Sequence, residues 1–502
     1  NPRSPWESHY DDVRSVLPSD GSSDVKTVFG RVTMKRRQFI QGSLAIGATA
    51  TFGGITGCGA KSTEPQTPIP FKAGRPIPWV NWAGNQSCMP KWRHAPASED
   101  ELVEVLKSAK GNVRAVGAGH SFSAVVPTDD TLISTDLLSG LVSHNDHKLQ
   151  ATLKAGTRLN ACGPILESIG QAFPNMPDMD YPSLGGALAN SVHATGVDFK
   201  SMSGYIEGLK LATINGDLLE CSKTKNPEIF QAAKTHIGSL GVVTEYTLQN
   251  QESFDITEVN SIEPLEYVFE NMDALCKQNR HFECYLIPYS SECITVSTNF
   301  AKPRDKNVGE DDPQAVNTLR SVFEKTSWLP FVGEDLYGFA LSKALAAEAA
   351  TIRTGPSHKV FPHARIVRFR EMEYTVPAEL GVACGREIME TIKKKKLPLS
   401  FPIEFRYVKG DDIWLSMFEG QDGCSISIHQ YGDLDYKKIF SEIEPIFWKY
   451  SGRPHWGKIH TMKAPQLANL YSRHWQDFHE VRKSLDSQGK FMNAHLKDIF
   501  GA

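Results

Sequence analysis

Val113-Arg114-Ala115-Val116-Gly117-Ala118-Gly119-His120-Ser121-Phe122-Ser123 is the stretch on which the reading of this chain turns. The short Val-Arg-Ala-Val run predicts a strand, and Gly-Ala-Gly predicts that it ends in a tight loop. Gly117 and Gly119 carry no Cβ and tolerate positive φ, so backbone N–H groups there can approach a diphosphate closely. His120 follows on the loop itself. Taken alone, Gly-x-Gly also describes an ordinary turn. The Rossmann fingerprint is excluded, because Phe122 stands where its third glycine belongs. Val116, Gly117, Ala118, Gly119, His120, Ser121 and Phe122 are candidate dinucleotide-binding residues in some other manner.

Working outward, 502 residues exceed one typical core and predict two domains with extensions. A net charge of −4 gives no bulk electrostatic case for nucleic acid. The nine cysteines lie far apart with no Cys-x-x-Cys, which argues against zinc, iron–sulfur clusters and a disulfide-dense scaffold. No metal site is expected, and individual disulfides stay open.

Residues 1–33 are polar and aperiodic, and are read as an extension preceding a start at Met34. Met34-Lys35-Arg36-Arg37-Gln38-Phe39-Ile40 and the uncharged run to Ala60 resemble a twin-arginine export signal. Ile55-Thr56-Gly57-Cys58 resembles a bacterial lipobox, making Cys58 the expected lipidation site over signal 34–58. An uncleaved membrane anchor is the competing reading, weakened by the glycines, serine and threonines between Gln41 and Gly54. Expected localisation is outside the cytoplasmic membrane, tethered by lipid. Residues 59–78 read as a linker.

Ser98 followed by three acidic residues predicts a helix start, and Leu102, Val105, Leu106 and Ala109 fall at helical spacing. Strands are expected at Thr131–Thr135 and Gln150–Gly156, with a helix from Asn160 to a C-cap at Gly170. Asn215-Gly216-Asp217 predicts a hairpin turn. From about 251 to 450 the glycine-rich signals stop, and apolar–polar alternation mixes with helical stretches. Ala301–Asp312 reads as a loop and Leu336–Ile352 as a helix.

Gly117-Ala118-Gly119-His120-Ser121 resembles the flavin-linking loop of the vanillyl-alcohol-oxidase type of flavoproteins, and of the sugar-lactone and alditol oxidases among them. Two further segments agree in order: Gly185 to Gly196, containing Gly186, Ser191 and His193, and Ser239-Leu240-Gly241-Val242-Val243-Thr244. Trp79 to Asn85, Met372 to Pro377, Arg453-Pro454-His455-Trp456-Gly457-Lys458 and Leu485 to Asn493 also resemble family segments. The resemblance implies FAD held covalently through His120, over an FAD-binding domain at 79–250. It implies a cap domain at 251–450 and a segment, 451–502, that returns to the flavin.

Ile403-Glu404-Phe405-Arg406-Tyr407 sets Glu404 and Arg406 two apart, hence on one face of a strand. A solvated ion pair is the usual fate of such a pair, but the flanking apolar and aromatic residues suggest burial. The resemblance gives Glu404 and Arg406 a substrate-binding and catalytic role, and points Lys458 at the flavin and the reacting hydroxyl. Ser425 to His429 alternates as a strand, and His429 is a candidate catalytic residue that would more often be structural. Asn175-Met176-Pro177-Asp178 aligns with the segment beside the reactive flavin face. Asp178 is a candidate substrate ligand. In the family, alanine at the Pro177 position goes with excluded oxygen, and glycine or proline with oxidase behaviour.

The expected fold class is α+β: an FAD-binding domain of two small α+β subdomains and a cap built on an antiparallel sheet with helices. The expected activity is oxidation of a sugar lactone or polyol with oxygen as acceptor. The alternatives are a dehydrogenase using a quinone or cytochrome, and a binding lipoprotein without catalysis. The residues leave open which group takes the hydroxyl proton.

Overall fold

The computed structural model describes residues 77–308, 315–326, 337–338, 341, 350–364 and 367–501. The expected export signal, Cys58 and residues 1–33 lie outside these, as does most of the 336–352 segment. Its helical assignment holds at 337–338 and 341 but runs too far, since Thr351–Pro356 is a strand. Ile352 pairs there with Val259, a long-range contact that local propensity does not register.

Strand Val113–Val116 pairs in parallel with Thr131–Ser134, which pairs in parallel with Trp92–His94. Helix Glu99–Ser108 starts as its cap predicts, with the Ser98 Oγ accepting from the Glu101 N–H at 3.2 Å. It buries Leu102 and Leu106 in one cluster with Val113 and Ile133, and this packing holds the strand that launches the glycine loop. An antiparallel five-stranded sheet lies beyond, in the order Leu218–Ser222, Ile206–Ala212, Val242–Gln249, Gln150–Lys154, Leu141–Asn145. Helix Leu159–Glu167 stops short of the expected Gly170, where φ is +71° and the chain turns toward the next strand.

The largest layer is an antiparallel eight-stranded sheet. Its order is Thr351–Pro356, Asp255–Pro264, Glu292–Phe300, His281–Leu286, Ile403–Val408, Gly423–Tyr431, Phe369–Pro377, Arg453–Pro454. Helices Gly381–Lys395 and Lys437–Lys449 pack against it. The two-residue period of strand Phe369–Pro377 sends Tyr374 toward these helices, stacked on Phe447 at 4.8 Å. The same period sends Glu371 and Glu373 to the opposite face. That division makes one face of the sheet a core and the other a site.

The C-terminal segment closes the glycine loop. Gly457 O accepts from the Phe122 N–H at 2.7 Å, and Trp456 O from the Ser123 hydroxyl at 2.6 Å. Arg114, 2% exposed, donates to Val125 O, Ile237 O, Gly238 O and Phe491 O, joining three separated stretches to its own strand through one guanidinium. Burial pushes its pKa down to about 9, so it is still charged at neutral pH. The eight described cysteines are unpaired. Among the described residues, no helix is long and apolar enough to cross a membrane.

Candidate active site

A cleft, partly open to solvent, runs from the glycine loop to the charged face of the large sheet. Its walls include Val116 to Phe122, Asp178, Gly186, His193, Val242, Val243, Glu404, Arg406, His429 and Lys458. Ser191 and Gly196 are not in the wall. Ser191 is turned into the protein, its Oγ donating to Ser416 Oγ at 3.2 Å. Gly196 donates its N–H to Tyr407 O at 2.7 Å, and a Cβ there would meet Phe199 at 2.8 Å. Gly196 thus joins its stretch to strand Ile403–Val408, and Ser191 joins it to the segment after that strand.

The glycine loop fits a diphosphate. From Gly117 to Ser121 the backbone N–H groups find no acceptor among the described residues, leaving successive donors on the cleft wall. Gly117 is required by packing as well, since a Cβ would lie 1.8 Å from Ser183 Oγ. Gly119 holds φ at +67°. His120 is stacked between Trp82 and Tyr181, with ring centroids 5.1 and 6.1 Å away. Its Nδ1 is buried without a hydrogen-bond partner. Burial, then the nearby Arg158 and Lys458, push its pKa down to about 4, so the ring is neutral at pH 7 and keeps a free lone pair. A buried orphan nitrogen is costly, by roughly 1–3 kcal/mol, unless something bonds to it. These features leave His120 with a neutral, unsatisfied nitrogen beside the cleft.

At the sheet end, charges are gathered in pairs. Glu404 and Arg406 lie on the cavity face of strand Ile403–Val408, and both are 8% exposed. Arg406 Nη2 contacts Glu404 Oε2, and its Nε lies 3.1 Å from Glu283 Oε2, across the strand register. Burial opposes the guanidinium charge, but Glu404 and Glu283 outweigh that and keep it ionised. Lys458 Nζ contacts Glu371 Oε2, whose other oxygen lies 3.5 Å from His429 Nε2. Glu373 accepts from His193 Nε2 at 2.6 Å and from Ser427 Oγ at 2.9 Å. Asp178 is bonded to His363 Nδ1 at 2.7 Å, and His363 Nε2 lies 3.1 Å from Glu258 Oε1. Donor atoms of Glu371, Glu404 and His429 lie within 4.8 Å of one another, a spacing that could hold an ion. Lys458 and Arg406 already place fixed cations on those two carboxylates, which disfavours a metal cation there.

Glu283 and Glu371 were not singled out by the sequence, and Glu373 was read only as part of the Met372–Pro377 segment, without a role. Glu283 sits in an apolar–polar alternation whose polar positions are expected to face solvent. Instead its strand is interior to the sheet and its carboxylate meets Arg406. Glu371 and Glu373 share a two-residue spacing with Glu404 and Arg406, and that repeated signal on a second strand could have found them.

Residues 246–499 match the D-arabinono-1,4-lactone oxidase family, and residues 90–222 match an FAD binding domain. An L-gulono-1,4-lactone dehydrogenase of Mycobacterium tuberculosis is 32% identical over 444 residues, covering 84% of this chain and 99% of that protein. The L-gulonolactone oxidase of Bos taurus is 28% identical, covering 84% and 98%. An alditol oxidase of Streptomyces sp. is 24% identical, covering 84% and 98%. In solved structures the same fold occurs in a solvent-stable cholesterol oxidase, with a TM-score of 0.71 at 19% identity, covering 84% of this chain and 97% of that one.

Proposed function

Because the chain belongs to the D-arabinono-1,4-lactone oxidase family of FAD-dependent oxidoreductases acting on CH–OH groups, we propose that it oxidises a neutral aldonolactone or polyol with oxygen as acceptor. The observation that carries this reading is one continuous cleft. It joins a loop of free amides to a desolvated pair, Glu404 and Arg406, with Lys458 beside them. FAD, when bound, supplies the hydride acceptor. The amides from Gly117 to Ser121 hold its diphosphate, and His120 forms the covalent tether through its neutral nitrogen. Glu404 accepts hydrogen bonds from substrate hydroxyls, and Arg406 orients the same groups as a forked donor. The Lys458 ammonium offsets the negative charge that grows on the reacting oxygen. Asp178 would repel an acidic substrate, which favours lactones and polyols over sugar acids.

The testing experiment is anaerobic mixing of the purified flavoprotein with a panel of aldonolactones and alditols. At least one should bleach the flavin band within seconds, and a panel that bleaches none sinks the reading. For the acceptor, Pro177 in the cleft wall supports oxygen, whereas the dehydrogenase name of the M. tuberculosis relative favours a second reading with another acceptor. Stopped-flow mixing of reduced enzyme with oxygen separates the two. Reoxidation should outpace that of free reduced flavin, and Pro177→Ala should slow it while leaving substrate-driven reduction unchanged.

Export and lipid anchoring belong to the same reading, supported by the Arg36-Arg37 signal and Cys58. The twin-arginine route carries folded proteins, so the cofactor can be fitted before export. Cys58→Ser should move the protein from the membrane fraction to the soluble one. Persistence in the membrane after that change would leave an uncleaved anchor as the explanation.

A further inference from the structure

We propose that Glu371 is a positioning residue for the oxidation step, fixing the Lys458 ammonium and the His429 imidazole with its two carboxylate oxygens. The proposal rests on the reading of the cleft as an alcohol-oxidising site. Glu371 is 4% exposed and in the cleft wall. Oε2 takes Lys458 Nζ and Oε1 faces His429 Nε2 at 3.5 Å. Its main chain holds the same segment, because Glu371 O accepts from the Ile459 N–H at 2.9 Å. Side chain and backbone of one residue thus set where Lys458 leaves the chain and where its head ends.

His429 is fixed from every side by this arrangement. It is the cross-strand partner of Glu371. Its ring is stacked on Phe401 at 5.1 Å and set edge-on to Phe369 at 5.0 Å. Nδ1 lies 3.3 Å from Pro402 O. Nε2 therefore faces the Glu371 carboxylate and Nδ1 the Pro402 carbonyl, with the Glu404 carboxylate also within 4.8 Å of the ring's ligand atom.

The carboxylate is kept ionised. Burial would raise its pKa, but Lys458 and His429 outweigh burial and the repulsion from Glu373, holding it well below the usual range. Lys458 has a flexible four-carbon stem, and this anion, with the Phe122 ring 5.1 Å from Nζ, sets where its head rests. An ion pair that served folding alone would explain the contact, but not why it lies in the cleft wall between two candidate reacting groups.

The test uses purified holoenzyme, with flavin reduction by L-gulono-1,4-lactone followed anaerobically. Glu371→Gln should lower the saturating reduction rate by roughly ten- to hundredfold, the range expected when a reacting group is displaced by about an ångström. The half-saturating lactone concentration should stay within about twofold, since bulk substrate contacts are untouched. Glu371→Asp, which keeps the charge but shortens the reach, should recover part of the loss. In a Lys458→Met background, Glu371→Gln should add clearly less than it costs in wild type, because its route through Lys458 is gone and only that through His429 remains. A wild-type rate in Glu371→Gln, or an undiminished effect in the Lys458→Met background, overturns the proposal. Should Glu371→Gln not accumulate, full activity in Glu371→Asp overturns it instead. The flavin reduction potential, measured against a reference dye, needs no substrate and should be higher in Glu371→Gln than in wild type. If wild type is inert with all lactones and alditols, the functional reading fails. The potential then still decides whether the Glu371 charge is felt at the flavin, and an unshifted value counts against the proposal.

Discussion

Arg406→Met is expected to lower substrate-driven flavin reduction by about 10²–10³, the usual cost of removing a donor aimed at developing charge. The same change should destabilise the fold by about 3–5 kcal/mol, because it breaks a buried ion pair from one side. Arg406 is the cation between Glu404 and Glu283, and Met fills its volume without its charge. Glu283 shows which way the variant will respond to pH. Burial already raises its pKa even with Arg406 beside it, and loss of the guanidinium raises it further. A group whose folded pKa is raised contributes stability below its unfolded value and loses it as pH rises through the folded one. Thermal melts of Arg406→Met should therefore show Tm falling from pH 5 to pH 8 relative to wild type. A parallel offset at every pH would mean that the charge of Glu283 is not the cause.

His120→Ala is expected to convert a permanently coloured protein into one whose flavin comes off entirely in acid. Wild-type protein precipitated with acid should keep its yellow chromophore in the pellet, and should carry a fluorescent band on a denaturing gel. The change leaves the diphosphate amides of Gly117 to Ser121 in place, so some FAD should still bind reversibly. Turnover should be slower in that form, because a covalent link makes a flavin more oxidising and Trp82 and Tyr181 no longer hold a tether between them. Full release of flavin from wild type would remove His120 from the cofactor chemistry while leaving FAD binding itself untouched.

Local chemistry made much of this fold readable. The Ser98 cap, the Val113–Val116 strand and the Asn215–Asp217 turn are set by short-range preferences, and the structure forms each of them. The α+β class with a large antiparallel sheet is what the family resemblance implied, and the structure forms it. Glu404 and Arg406 were legible because a strand's period aims both at one face. Glu283 and Glu371 were not, because their roles come from pairing across strands whose order no local pattern specifies. Ser191 and Gly196 fell in a glycine-rich stretch that passes the cleft, yet a stretch gives no side-chain direction. Ser191 adopts φ of 55° and turns inward. The over-long helix at 336–352 failed for the same reason in reverse, since Ile352 answers to Val259 rather than to its neighbours.

The guanidinium of Arg114 also sets an order of events during synthesis. Strand Val113–Val116 leaves the ribosome early and can meet Thr131–Ser134 soon afterwards. Its arginine, however, must wait for Phe491, 377 positions later, before its hydrogen bonds are complete. Asn112 waits in the same way for Met492, and the Asn493 side chain then closes onto Ala124 and Pro127. Until that final stretch arrives, a cation with unfilled donors sits where water is being expelled, and the glycine loop beside it has no finished support. The C-terminal residues therefore complete the support of the glycine loop last. A chain cut short before residue 490 is expected to keep its early strands but to lose the hydrogen bonds that brace Arg114 and Asn112 beside the glycine loop.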